Sequence, residues 1–316
     1  MIDARQKLDL LFTTVLGAPV DNYWGNNLIQ AGHCLSEVMN TEVIREQDIV
    51  RGLADVSMIQ YSEVQSILSE LIDNKEEILL CLEYIVTHEP DIEKSLAACG
   101  VLYNARSKRG VDILVDALVK KISSYDLDAD VDLIKKVYSF VEAEWSGREG
   151  EGTTNIQHSL MVAHALAGMR TDIATIAAGL LHGTIENTGT TIKDITEMFG
   201  NEIAFLVKSL TNLSKIEFRV QEEAQAENFR KMFLVMSEDI RVIFIKFADR
   251  LHNMRTFQFL PENKRQRMAT ETLEIYVPLA DRLGIGWLKI AFEDLSFRIL
   301  MPELYEELTK KIGKRK

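Results

Sequence analysis

The run Val242-Ile-Phe-Ile-Lys-Phe-Ala-Asp-Arg-Leu-His-Asn-Met-Arg-Thr256 decides the fold class. Its opening, Val242 to Ile245, is β-branched and aromatic and alone would pass for a buried strand. The apolar set then continues at Phe247, Ala248, Leu251 and Met254, steps of three and four that only a helix places on one side. The segment therefore reads as a buried helix, and its neighbours agree. Val131 to Trp145 sets Leu133, Ile134, Val137, Phe140, Val141 and Trp145 on one stripe. Ile192, Ile195, Met198 and Phe199 repeat the pattern, opened by a Thr191/Asp194 capping box and stopped by Gly200. Glu222 to Met236 and Met268 to Leu283 read as helices too, with a kink expected at Pro278. Five prolines and 17 glycines in 316 residues leave long helices uninterrupted, and an all-α protein is expected.

Charge narrows the partners. With 36 Lys+Arg against 48 Asp+Glu, the net charge of −12 has the wrong sign for a dedicated duplex-DNA binder or an anionic membrane surface. No apolar run approaches the roughly 20 residues that span a bilayer. The apolar stretch Leu8 to Val20 carries Asp9 and reads as part of a folded helix, not a leader. Cys34, Cys81 and Cys99 are too few and too scattered for a disulfide framework, which points to a reducing cytoplasm.

Length favours two domains. The boundary is expected near residues 123–131, Ser-Ser-Tyr-Asp-Leu-Asp-Ala-Asp-Val, giving a helical module over 1–124 and a second domain over 125–316. The alternating aspartates are not an EF-hand. The places that need Gly and Glu hold Val131 and Val137. In the first module, Leu79 to Val86, a Glu89-Pro90-Asp91 turn and Ser95 to Tyr103 resemble a HEAT-type helix pair, with an unrelated helical bundle as the other reading. A surface of that kind suits a protein partner.

Four of the six histidines, His158, His164, His182 and His252, follow the boundary. His158 follows a polar loop, Gly147 to Gln157, at the start of a helix. His182 ends the apolar helix Ile173 to Leu181, and Asp249 lies in the Val242 helix. Two imidazoles and a carboxylate aimed into one bundle form a reasonable set for Mn²⁺, Fe²⁺ or Zn²⁺. His164 is off the face of His158 and reads as ordinary packing. His252, three residues past Asp249, could support the site or substitute as a ligand. There is no Walker glycine loop, no Cys-x-x-Cys and no Gly-x-Ser-x-Gly.

Residues from about 126 to 316 resemble the metal-dependent hydrolase domain of the RelA/SpoT homologues. The resemblance rests on Asp128 to Trp145, Leu180-Leu-His-Gly-Thr-Ile-Glu-Asn-Thr188, Leu213-Ser-Lys-Ile216 and Ala224-Gln-Ala-Glu-Asn-Phe-Arg-Lys-Met232. It continues through Lys246 to Thr256, Glu271-Thr-Leu-Glu-Ile-Tyr-Val-Pro-Leu-Ala280 and Leu295-Ser-Phe297. It implies an HD-type helical bundle, Mn²⁺, and removal of the 3′-pyrophosphate from guanosine tetra- or pentaphosphate, (p)ppGpp. The family's synthetase domain would begin about where this chain stops, at Lys316.

Carried over by position, His158, His182 and Asp249 match three metal ligands of that family. The fourth, an aspartate directly after the second histidine, is replaced here by Gly183. The family's Glu-Asp pair that handles the attacking water reads Glu186-Asn187, and an amide cannot act as a carboxylate base. The basic residue before the first histidine is Arg148 with a one-residue shift, or Glu149 by an ungapped count. Asn253 and Thr256 match positions near the guanosine, and Arg250 a structural or phosphate-facing one. Arg241 to Thr270 holds seven basic residues and two acidic ones, a field suited to a polyphosphate or else a solvated face. The departures fall on the chemistry and spare the scaffold. A weak or inactive hydrolase with a regulatory or binding role is expected, with an active Mn²⁺-dependent (p)ppGpp hydrolase as the alternative.

Overall fold

The computed structural model describes residues 86, 87, 95, 96, 99, 108–145, 151–214, 239–256 and 260–313. Most of the HEAT-like pair, the Glu222–Met236 helix and Arg148 lie outside the described residues. Among the described residues every regular element is helical: the fold is all-α.

The chain divides into two compact units, and the one that carries His158, His164, His182 and His252 runs from Ile122 to Pro302. Ahead of it is α1 (Lys108–Ser123). Lys121 on that helix donates to the Ser95 hydroxyl at 2.9 Å, so a nearly buried ammonium is satisfied inside its own unit.

The Ile122–Pro302 unit begins with α2 (Val131–Trp145), α3 (Glu151–Gly168) and α4 (Ile173–Leu181). Short α5 (Thr184–Asn187), α6 (Ile192–Phe199) and α7 (Asn201–Ser214) follow. Next come α8 (Arg241–Arg255), α9 (Glu262–Glu271), a π turn (Thr272–Tyr276), α10 (Val277–Arg282) and α11 (Gly286–Leu300). Helix α4 is the centre. Every residue from Ala174 to Leu181 is buried, against α2, α3 and α7. Helix α8 packs on α3, α4, α7 and α11, and buries Val242, Ile243, Ile245, Phe247, Ala248, Leu251 and Met254. The strand-like opening of that run is thus helical because burial on several sides, not intrinsic β preference, sets its conformation.

Two glycines shape the region around His182. At Gly179 a Cβ would lie 2.5 Å from Leu166 Cδ1, so its hydrogen lets α3 and α4 approach closely. Gly183 takes φ +82°, the left-handed conformation that ends α4 and turns the chain into α5.

The expected capping box is present: Thr191 Oγ1 accepts from the Asp194 amide, and the Thr191 amide donates to Asp194 Oδ2 at 2.8 Å. Two local expectations change. The loop expected over Gly147–Gln157 is helical from Glu151, so His158 sits within α3, where packing on α2, α4 and α8 outweighs modest local propensity. The kink expected at Pro278 is a π turn just before it. The wider turn accommodates a residue that lacks an N–H and crowds the preceding carbonyl.

Candidate metal centre

Three helices bring the sequence-selected donors together. His158 projects from α3, His182 is the C-cap directly after α4, and Asp249 sits on α8. One ligand atom of each lies within 4.8 Å of the others, and all three are half-buried. His158 Nε2 is 2.7 Å from His182 Nε2 and 3.1 Å from Asp249 Oδ1.

The local chain explains their orientation. His182 Nδ1 donates to the Gly179 carbonyl one turn back, which leaves Nε2 as a bare lone pair facing His158. Burial, then the neighbouring His158, pushes the His182 imidazole down to about 4, so it is neutral at ordinary pH. Asp249 is held by residues of its own helix: Asn253 donates to Oδ1 at 2.7 Å, and the Lys246 ammonium is 3.6 Å from Oδ2. Burial alone would raise that carboxyl. The hydrogen bond from His158 and the Lys246 charge overcome it and hold Asp249 well below the usual carboxylate range. His252 lies beside His158, ring centroids 4.8 Å apart and planes tilted by 60°, and burial pushes it well below an ordinary histidine.

The donors open on a cleft of about 200 Å³. Glu186 and Asn187 stand at its exposed side, with Gly183 between them and His182. The Asn187 amide nitrogen donates to the Gly183 carbonyl at 2.8 Å. Trp145, Asn155, Ser159, Thr211 and Lys246 also line the space. Sequence reading gave Trp145, Asn155, Ser159 and Thr211 no site role and counted Lys246 only within the basic field of Arg241 to Thr270, although Lys246 lies one helical turn before Asp249 and Asn155 one turn before His158.

The nucleotide candidates are dispersed. Arg250 is absorbed in packing: it pairs with Glu271 at 2.8 Å, and its guanidinium lies 4.3 Å from the Tyr276 ring centroid. Thr256 caps α8, its hydroxyl donating to the His252 carbonyl at 3.0 Å. Asn253 reaches the site only through Asp249. His164 is a buried packing residue.

The donor set fits a divalent ion. Tetrahedral bonds of about 2.0–2.1 Å separate ligand atoms by about 3.3 Å; the two separations from His158 Nε2 are within about 0.6 Å of that, and all three ligand atoms lie within 4.8 Å of one another.

Comparison with known proteins accords with the histidine geometry. The family described as "HD domain" matches residues 132–286, a range that contains all three donors. This unit is a RelA/SpoT-type HD domain. A "GTP pyrophosphokinase" of Myxococcus xanthus is 48% identical over 199 residues, covering 62% of this chain and 26% of that protein. The "Bifunctional (p)ppGpp synthase/hydrolase SpoT" of Escherichia coli K12 is 44% identical over 193 residues, 61% of this chain and 28% of the relative. A "GTP pyrophosphokinase rsh" of Brucella ovis is 41% identical over 197 residues, 62% and 26% of the two chains. The aligned part of this chain thus spans about a quarter of the length of the relatives it matches. No helix among the described residues is long and apolar enough to cross a membrane.

Proposed function

We propose that this HD domain serves (p)ppGpp metabolism as a binding or regulatory module whose hydrolysis is weak or lost. One observation carries the reading. The two places where the resemblance implies carboxylates hold Gly183 and Asn187, and they are bound to each other at 2.8 Å. That leaves His158, His182 and Asp249 as the converging donors among the described residues. A bound divalent ion, Mn²⁺ in the family pattern, supplies charge and Lewis acidity for phosphate-ester cleavage. What this chain's residues contribute is a positioned pair of imidazoles, a carboxylate held ionised, and Lys246 facing the cleft. They do not supply a second carboxylate beside Glu186 to take the proton of an attacking water.

The active alternative is favoured by Glu186, which still lines the cleft beside the three donors and would act as the base. Of the nucleotide-contact candidates, Arg148 remains for either reading, whereas Arg250, Asn253 and Thr256 would first have to leave their partners Glu271, Asp249 and the His252 carbonyl. The module over 1–124 would hold a protein partner in the cytoplasm. Incubating the purified chain with ppGpp and Mn²⁺, beside a Gly183→Asp, Asn187→Asp double variant, tests the proposal. We expect turnover by the unmodified chain at least about 100-fold below the double variant, the scale on which general bases act. Comparable turnover by the two proteins would sink it.

A further inference from the structure

The donors that remain differ in kind, not only in number. Two imidazole nitrogens and one carboxylate oxygen converge on the cleft. Imidazole-rich sites suit Zn²⁺, whereas Mn²⁺ prefers a shell dominated by carboxylate, carbonyl and water oxygen. Three protein ligands with one open position is also the usual arrangement of a reactive zinc centre. The open side is kept clear by the 183–187 turn. Gly183 offers no side chain, and the Asn187 amide nitrogen is occupied by the Gly183 carbonyl. The orientation of His182 is set as well, because its Nδ1 hydrogen is engaged by the Gly179 carbonyl and only Nε2 faces the other donors.

We infer that this centre takes Zn²⁺ in preference to Mn²⁺, held by His158, His182 and Asp249, with the Gly183–Asn187 latch keeping its fourth position open to the cleft. The inference rests on the proposed shortage of carboxylates and adds the class of ion that the shortage selects. A carboxylate restored at position 183 clashes with nothing, since a Cβ there meets only Asn187 Nδ2, at 3.5 Å. The φ of +82° strains any L side chain, so the fold of that variant is checked by circular dichroism with the others. Added oxygen and negative charge help Mn²⁺ more than Zn²⁺, so that change narrows the preference.

Equilibrium dialysis of the full chain against Zn²⁺ alone and Mn²⁺ alone, read by elemental analysis, tests this directly. We expect one Zn²⁺ per chain and a dissociation constant about a thousandfold below that for Mn²⁺. His182→Gln and Asp249→Asn, each checked by circular dichroism, should weaken Zn²⁺ uptake at least about tenfold. Either variant alone suffices should the other fail to fold. Gly183→Asp should raise Mn²⁺ affinity and shrink the Zn²⁺/Mn²⁺ ratio about tenfold. Co²⁺ as a spectroscopic stand-in should give the intense visible bands of low coordination number in the unmodified chain.

Mn²⁺ affinity within tenfold of Zn²⁺, or Zn²⁺ uptake unchanged in both ligand variants, overturns the inference. An unchanged ratio in Gly183→Asp does the same. The two readings fail separately. Brisk ppGpp turnover by the Zn²⁺-loaded chain would defeat the loss of hydrolysis and leave the metal assignment standing. Equal uptake of both ions without turnover would do the reverse.

Discussion

Gly179 serves His182 twice: its carbonyl accepts the His182 Nδ1 hydrogen, and its bare Cα lets Leu166 of α3 press against α4. The same residue therefore sets the tautomer of one metal donor and the separation between the helices that carry both histidines. A branched side chain there would collide with a fully buried Leu166. Gly179→Val should destabilise the protein by about 3 kcal/mol, the upper range for overpacking a filled core. Urea unfolding checks the stability, and Zn²⁺ titration of the folded variant should show weakened uptake as His158 and His182 move apart.

The Asn187–Gly183 bond carries an opposite test. Asn187→Asp removes the amide donor and sets a carboxylate against the Gly183 carbonyl, so stability should fall by about 1 kcal/mol near pH 7. Acid should relieve the penalty. Below about pH 4 an aspartic acid of ordinary pKa is protonated, can donate to that carbonyl, and the deficit should shrink. Denaturation midpoints of the metal-free variant and its parent across pH 3 to 7 measure this. A deficit that is constant with pH would mean that the bond contributes nothing.

Helix content was legible because it depends on short-range spacing. The stripe Ile134, Val137, Val141 and Trp145 is buried as its period implies, and Thr191 with Asp194 forms the capping box its spacing announces. The convergence of His158, His182 and Asp249 was legible through motif resemblance, since no local pattern relates residues on three helices. What escaped is tertiary. The length of α3 ahead of His158 depends on packing against other helices, and the π turn before Pro278 on how a chain absorbs a missing donor. The role of Arg250 escaped for the same reason: its partners, Glu271 and Tyr276, lie 21 and 26 residues away.

That ion pair is structural in its energetics. Arg250 and Glu271 are 14% and 16% exposed, so truncating one leaves the other charge desolvated and unpaired. Arg250→Ala should cost about 3–5 kcal/mol. The double change Arg250→Met, Glu271→Gln should recover much of this, because no uncompensated charge remains. Arg250→Lys should restore only part, since an ammonium lacks the planar stacking on Tyr276. Chemical denaturation of the four proteins separates these outcomes. A stable Arg250→Ala variant would return Arg250 to the role of a nucleotide contact.

Arg241 ties together the elements that carry the site. From the first residue of α8 it donates to Asp239 through Nε and Nη2, to Glu202 of α7 at 2.6 Å, and to Asp172, the N-cap of α4, at 3.3 Å. The Arg241 hydrogen bonds hold the Asp239 carboxyl below its usual range. A carboxyl depressed in the folded state adds stability above its unfolded pKa, near 3.9, and loses it as pH falls through the lower folded value. Acid should therefore loosen this junction from about pH 4 downwards. Asp239→Asn should cost about 1–2 kcal/mol at pH 7, and the difference from the parent should close as pH drops below that window. Urea midpoints between pH 3 and 7 give the comparison. Should the parent and the variant keep a constant gap to the lowest pH, the clamp draws nothing from the charge on Asp239, and its hold on α4 and α8 rests on Glu202 and Asp172 instead.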